Sequence, residues 1–226
     1  MSLQTTDRNH LAISSTFWDF MASPLQHLIA FAKQANPSFV CTNGGRSAAT
    51  QKSFIARLCH VLNAPASTQD LAILRSVLGA HASKFEEIYA AHDGFVLYKD
   101  LLSATAGVEA LPISQWDEAG EVMRQFFEHL DDESDPDYIR TGVAFATAPQ
   151  SGNYFVMPVE GPNAGKIFYA DHDGWYESHF ASDFGEFIVR VTNNPAQVLS
   201  EELGCYARYS DGNTSIQWIP ESYHVG

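Results

Sequence analysis

Four residues close together carry side chains that could do chemistry jointly: Asp171, His172, Asp173 and His179. Carboxylates and imidazoles are the ligands that a divalent ion such as zinc or manganese takes. A metal-assisted hydrolase could be built on them. The spacing speaks for something plainer. Adjacent residues on a strand or turn point in alternating directions, so three in a row rarely face one ion. Asp173-Gly174 also has the chemistry of a tight turn. The Asp171-His172-Asp173-Gly174 segment therefore reads first as a turn, with metal-dependent hydrolysis as the alternative. No metal and no cofactor are expected.

Other reactive arrangements are weaker. There is no G-x-S-x-G nucleophile motif. Cys41, Cys59 and Cys205 are far apart and lack C-x-x-C spacing, which supports neither a disulfide framework nor a zinc knot. Their apolar or mixed surroundings suit buried structural thiols. Gly44-Gly45-Arg46-Ser47 lacks the lysine and spacing of a phosphate-binding loop. His92 and Asp93 could pair as base and orienter, but at a helix end they read better as C-terminal punctuation. No catalytic residue is expected, and the chain is not expected to be an enzyme.

The elements that would position these residues follow from periodicity. Three apolar runs, Val143–Ala146, Tyr154–Met157 and Ile167–Tyr169, are separated by Pro149–Asn153 and Glu160–Gly165. Short β-branched and aromatic runs between Gly, Pro, Asn and Ser clusters predict an antiparallel meander. Before it, the pattern predicts a helix opening near Phe17 that Pro24 ends or restarts. A second helix is predicted to carry Phe54, Ile55, Leu58, Val61 and Leu62 on one face. Ser67 and Asp70 form a capping arrangement for a third, which Gly79 kinks and Gly94 ends. A short strand, Phe95–Tyr98, follows. Trp116, Met123, Phe126, Phe127 and Leu130 are spaced for another amphipathic helix. Helices are expected at about 182–192 and 195–203. A hairpin turning at Asp211-Gly212-Asn213 closes the chain. Segregated helices and strands predict an α+β fold: a mostly antiparallel sheet flanked by helices, with a helical N-terminal extension (residues 1–66) and a main domain (residues 67–226) that includes the C-terminal hairpin.

Composition bounds the partners. The chain has 226 residues, 45% of them hydrophobic, and a net charge of −14. That is ample for a packed core. The acid excess argues against direct nucleic-acid or anionic-membrane binding and suits a basic protein partner. No signal-like leader or apolar run of the ~18–20 residues needed to span a bilayer is present, so a cytoplasmic protein is expected.

A helix ending in a Gly turn and a short strand (Tyr89 to Tyr98) precedes the Trp-bearing helical segment. Then come the strand near Phe145, a Gly-Asn turn before a hydrophobic strand, and a Gly before an aromatic strand. The DHDG turn and Phe184-Gly185-Glu186-Phe187 complete the series. In order and spacing this resembles the SUKH superfamily, the Smi/Knr-type proteins, over roughly residues 67–195. The resemblance implies an α+β domain that binds proteins. Bacterial members are mostly immunity proteins that neutralise polymorphic toxins, often nucleases, and eukaryotic relatives act in regulation. The implied partner is a cognate toxin, such as a basic nuclease domain, with a regulatory scaffold as the further alternative. The acidic run Asp131, Asp132, Glu133, Asp135 and Asp137 is the expected contact, with a solvated loop as the plainer reading. Of the aromatics Tyr154, Phe168, Tyr169, Trp175, Tyr176 and Trp218, most should be core. Trp175 and Tyr176 are taken as the binding anchors.

Overall fold

The computed structural model describes residues 23–34, 38–43, 54–100, 107–127, 136–149, 151–171, 178–193, 206–208 and 215–220. Its strands are β1 (Ser38–Asn43), β2 (Phe54–Leu62), β3 (Phe95–Asp100), β4 (Val108–Ala110), β5 (Gly142–Ala148), β6 (Asn153–Pro158), β7 (Phe168–Ala170), β8 (Tyr206–Arg208) and β9 (Ser215–Pro220). They lie in the order β7-β6-β5-β4-β3-β2-β1-β9-β8. Every neighbouring pair is antiparallel. Helices α1 (Pro24–Ala32), α2 (Thr68–Leu78), α3 (Ala82–Tyr89), α4 (Trp116–Phe127), α5 (Asp137–Arg140) and α6 (Phe184–Asn193) flank this sheet. The fold is α+β, and the C-terminal hairpin is present as β8 and β9.

Local chemistry explains most boundaries. Pro24 starts a helix: Ser23 caps α1, accepting the Gln26 N–H at 3.3 Å, and proline sits where its missing donor is harmless. Ser67 caps α2 through the Asp70 N–H at 3.1 Å. A 3-10 turn, Gly79–His81, joins α2 to α3. Gly94 holds φ 82°, and a Cβ there would lie 2.3 Å from the Ala110 carbonyl oxygen.

One expectation is corrected. Residues 54–62 form strand β2, not a helix. Phe54, Ile55, Leu58, Val61 and Leu62 fit a helical stripe, yet Leu58 and Leu62 also sit on one face of a strand. Pairing with β3 on one side and β1 on the other decides between them. The described part of residues 1–66 is thus one helix and two sheet strands. Leu28, Phe31 and Leu58 from it join the common core. Strands β1 and β4 were also not expected. The segments predicted as helix before Pro24 and at 195–203 lie outside the described residues.

Two rows of paired residues define the faces of the sheet, because residues opposite one another share a face. Leu62, Phe95, Ala110, Ala146, Phe155 and Tyr169 run across β2 to β7. This row faces α3 and α6, where Phe155 meets Phe187 and Phe180, each at 5.0 Å between ring centroids. Phe85 of α3 stacks on Phe184 of α6 at 3.7 Å, with Phe145 edge-on to both. Trp116 Nε1 and the Tyr89 hydroxyl both donate to the Leu111 carbonyl, at 3.1 and 3.0 Å. The other row is Val61, Val96, Glu109, Thr147, Tyr154 and Ala170. At one end of that second face, Tyr138 of α5 stacks on Phe168 at 4.4 Å. No described helix is long and apolar enough to cross a membrane.

Candidate partner-binding face

The residues that first suggested chemistry divide on the structure's own terms. Asp171 is half-buried beside the end of β7, and His179 is exposed, its ring 6.4 Å from that of Phe168. His172, Asp173, Trp175 and Tyr176 lie outside the described residues. So do Asp131, Asp132, Glu133 and Asp135, while Asp137 opens α5. Among the described residues, no group of three or more His, Cys, Asp or Glu side chains is placed to hold a metal ion. Gly44–Ser47 and Cys205 are likewise outside them. Cys59 is reduced and half-buried.

His92 and Asp93 are brought near each other but turned to separate tasks. His92 Nδ1 donates to the Asn63 carbonyl at 2.8 Å, because a carbonyl can only accept. Asp93 Oδ1 accepts the Ile113 N–H at 3.0 Å. Burial holds the Asp93 carboxyl above its ordinary range, although the Ile113 amide pulls it down. The pair fastens the end of α3 to β2 and to the turn before α4. It offers no base aligned by an orienting acid.

His60 is the most perturbed imidazole among the described residues. It lies half-buried between the rings of Phe31, 4.7 Å away, and Tyr98, 5.1 Å away. Its Nδ1 accepts the Tyr98 N–H at 3.1 Å, which requires that nitrogen to be unprotonated. Burial pushes its pKa down to about 4. Tyr98 itself holds φ 58°, the one positive value among the described non-glycine residues. That backbone is costly for a ring-bearing residue. The His60 acceptor and a 2.5 Å bond from the Tyr98 hydroxyl to the Val191 carbonyl hold it there. This cluster is a buried structural joint among α1, β2, β3 and α6.

Acid is concentrated on α4 and the segment after it. Trp116, Ala119, Gly120 and Met123 are buried at i, i+3, i+4, i+7 spacing, and α4 packs along β5. Asp117, Glu118 and Glu121 are left on the exposed side, with the Arg124 guanidinium beside Gly120, where an added Cβ would lie 3.3 Å from it. Six further acids lie between Glu128 and Asp137, so residues 117–137 carry nine acids against one base and hold −8 of the chain's −14.

The second sheet face is the other feature that sequence reading missed. In β4, Val108 and Ala110 are fully buried toward the helices, and Glu109 points the opposite way. Beside it, Val96 and Thr147 are half-buried, as is Tyr154, and Val61 at the end of the row is 37% exposed. Lys99, opposite Cys59, lies on the same face after the bulge at Tyr98. Of the aromatics flagged in the sequence, Phe168 and Tyr169 are core, and Tyr154 looks out from this face. A three-residue strand is too short to show a period, so no sequence signal marked Glu109.

The chain matches no known family in sequence comparison, and no curated protein matches it.

Proposed function

We propose that this chain is a non-enzymatic, SUKH-like protein-binding domain that acts in the cytoplasm as an immunity protein, neutralising a polymorphic bacterial toxin. The observation that carries this reading is the order of elements: a helix pair, a Gly94 turn, β3 and β4, the Trp116 helix, α5, then β5, β6, β7 and α6. Apart from β4 and α5, that order follows the series read in the sequence, which supports the resemblance. The acid on and after α4 supports a basic partner, because oppositely charged surfaces steer encounter and discourage nucleic acid. A nuclease domain is basic where it holds its substrate, so an acidic inhibitor can occlude that groove. The mechanism is coverage of the toxin's active site, with no bond made or broken.

Co-expression with the toxin domain encoded beside this gene tests the proposal. Survival of the host and co-elution of the purified pair are expected. Continued killing, with two separate elution peaks, would remove the immunity function. Hydrolysis that depends on added zinc or manganese, and is lost in His172→Ala, would install the metal-dependent alternative instead. Capture of a housekeeping regulator in place of a toxin would favour a scaffold.

A further inference from the structure

Glu109 occupies an unusual place for a carboxylate. It lies on the fourth strand from the β7 edge of a nine-stranded sheet, facing away from α3 and α6. Its neighbours in the row are Val96 on one side and Thr147 on the other, and the Thr147 hydroxyl is committed to the Asn153 carbonyl at 2.9 Å. No described residue donates a hydrogen bond to Glu109. Lys99 shares the face, but no ion pair joins it to Glu109 among the described residues. Burial raises the Glu109 pKa, and the Lys99 charge only partly opposes that. A half-buried carboxylate with no donor among the described residues is costly to keep charged, and a donor from outside would relieve it.

The surroundings suit such a visitor. From Val61 to Tyr154 the row crosses five strands, about 19 Å at the usual strand spacing. Its ends are apolar and aromatic, and its centre is negative. The chain's net −14 and the acids of α4 favour a basic approach. Arginine fits better than lysine, because its planar fork donates two parallel bonds to a carboxylate while its stem covers apolar surface.

We propose that this row, centred on Glu109, is the docking face for the basic protein partner, with a partner arginine closing on the Glu109 carboxylate and apolar partner side chains covering Val61, Val96 and Tyr154. The inference rests on the partner-binding function above and names the surface that performs it. Lys99 adds a charge of the opposite sign, so the matching partner carries an acid beside its arginine. That second charge gives selectivity against partners that are merely basic.

Calorimetry and stopped-flow binding of the full-length chain to the toxin domain encoded beside it test the face. Glu109→Gln is expected to weaken binding about 100-fold, mainly through faster dissociation. The melting temperature of the free chain should stay level or rise, which a merely structural role for Glu109 would not give. Val61→Asp, at an exposed position, should weaken binding similarly. Ile73→Asp, exposed on α2, should leave it unchanged. If the unmodified chain binds the toxin while Glu109→Gln and Val61→Asp both bind within about threefold of it, the docking face is wrong and the immunity function stands. If the unmodified chain fails to bind, both fall together. A free-chain dimer in sedimentation that Val61→Asp dissociates would assign the face to a second copy and overturn the proposal.

Discussion

At the scale of single residues, two positions show how tightly this core is drawn. Gly142 begins β5 against α5, and a Cβ there would lie 1.9 Å from the Tyr138 carbonyl oxygen and 2.1 Å from Val156 Cγ1. Backbone on one side and a fully buried valine on the other leave nothing free to yield. Gly142→Ala is expected to destabilise the fold by about 3 kcal/mol or more, measured by urea denaturation. His60 makes a prediction about pH. Its folded pKa, about 4, lies below the ordinary 6.5, so the unfolded chain takes up the proton first. The His60 contribution is therefore complete above pH 6.5 and is lost as pH falls toward 4. Because the ring keeps some contact with solvent, the loss should be about 1–2 kcal/mol rather than the full linkage value. His60→Gln keeps an acceptor for the Tyr98 N–H and should flatten the stability profile across that window. An unchanged slope would show that the imidazole is not the titrating group.

Among the elements, the start of α6 couples helix capping to the packing of α6 on α3. Asp183 Oδ1 accepts the Glu186 N–H at 3.0 Å, and Glu186 Oε2 in turn accepts the Ser182 N–H at 2.8 Å. This is reciprocal capping. Lys84 of α3 reaches across to Asp183 Oδ2 at 2.6 Å, so the cap also ties α6 to α3 beneath the Phe85–Phe184 stack. Burial pushes the Asp183 carboxyl upward, but the Lys84 ammonium and the amides of Glu186 and Gly185 together hold it below its ordinary 3.8. Its stabilisation is present above that value and lost as pH falls beneath it, a window separate from that of His60. Asp183→Ala should cost about 1–2 kcal/mol in thermal or chemical denaturation. Lys84→Ala should cost less, because the exposed ion pair adds little to the cap itself.

For the whole molecule, charge and shape act at different stages of binding. The acids of α4 lie on its exposed side, so their field extends into solvent, and the sequence that follows adds six more. Glu109 sits within the sheet face and acts only on contact. Reversing Glu118 and Glu121 to lysine should therefore slow association with the basic toxin domain about tenfold and flatten its salt dependence, leaving dissociation nearly unchanged. Stopped-flow measurements between low and high salt separate this from the dissociation effect expected at Glu109. Equal effects on both rates would mean that α4 lies inside the interface itself.

Much of the architecture was present in the sequence because it is decided locally. The capping of α2 by Ser67, the left-handed Gly94 and the amphipathic stripe of α4 each depend on residues within one or two turns. The three strands β5, β6 and β7 were legible because apolar runs alternated with turn residues. Even the helix start at Pro24 was marked, since proline is tolerated in the first turn of a helix. The α+β class followed from how these pieces were segregated. Residues 54–62 could not be settled this way, because their spacing satisfies helix and strand alike. Pairing with β3, more than thirty residues away for Val61 and Val96, makes the choice. The same non-local pairing puts a three-residue strand, β4, at the middle of the sheet and turns Glu109 onto its second face. Local sequence determined which segments could be helices or strands and left a carboxylate among ordinary surface acids. Only the tertiary register, set by burying the opposite row against α3 and α6, decided where that carboxylate points.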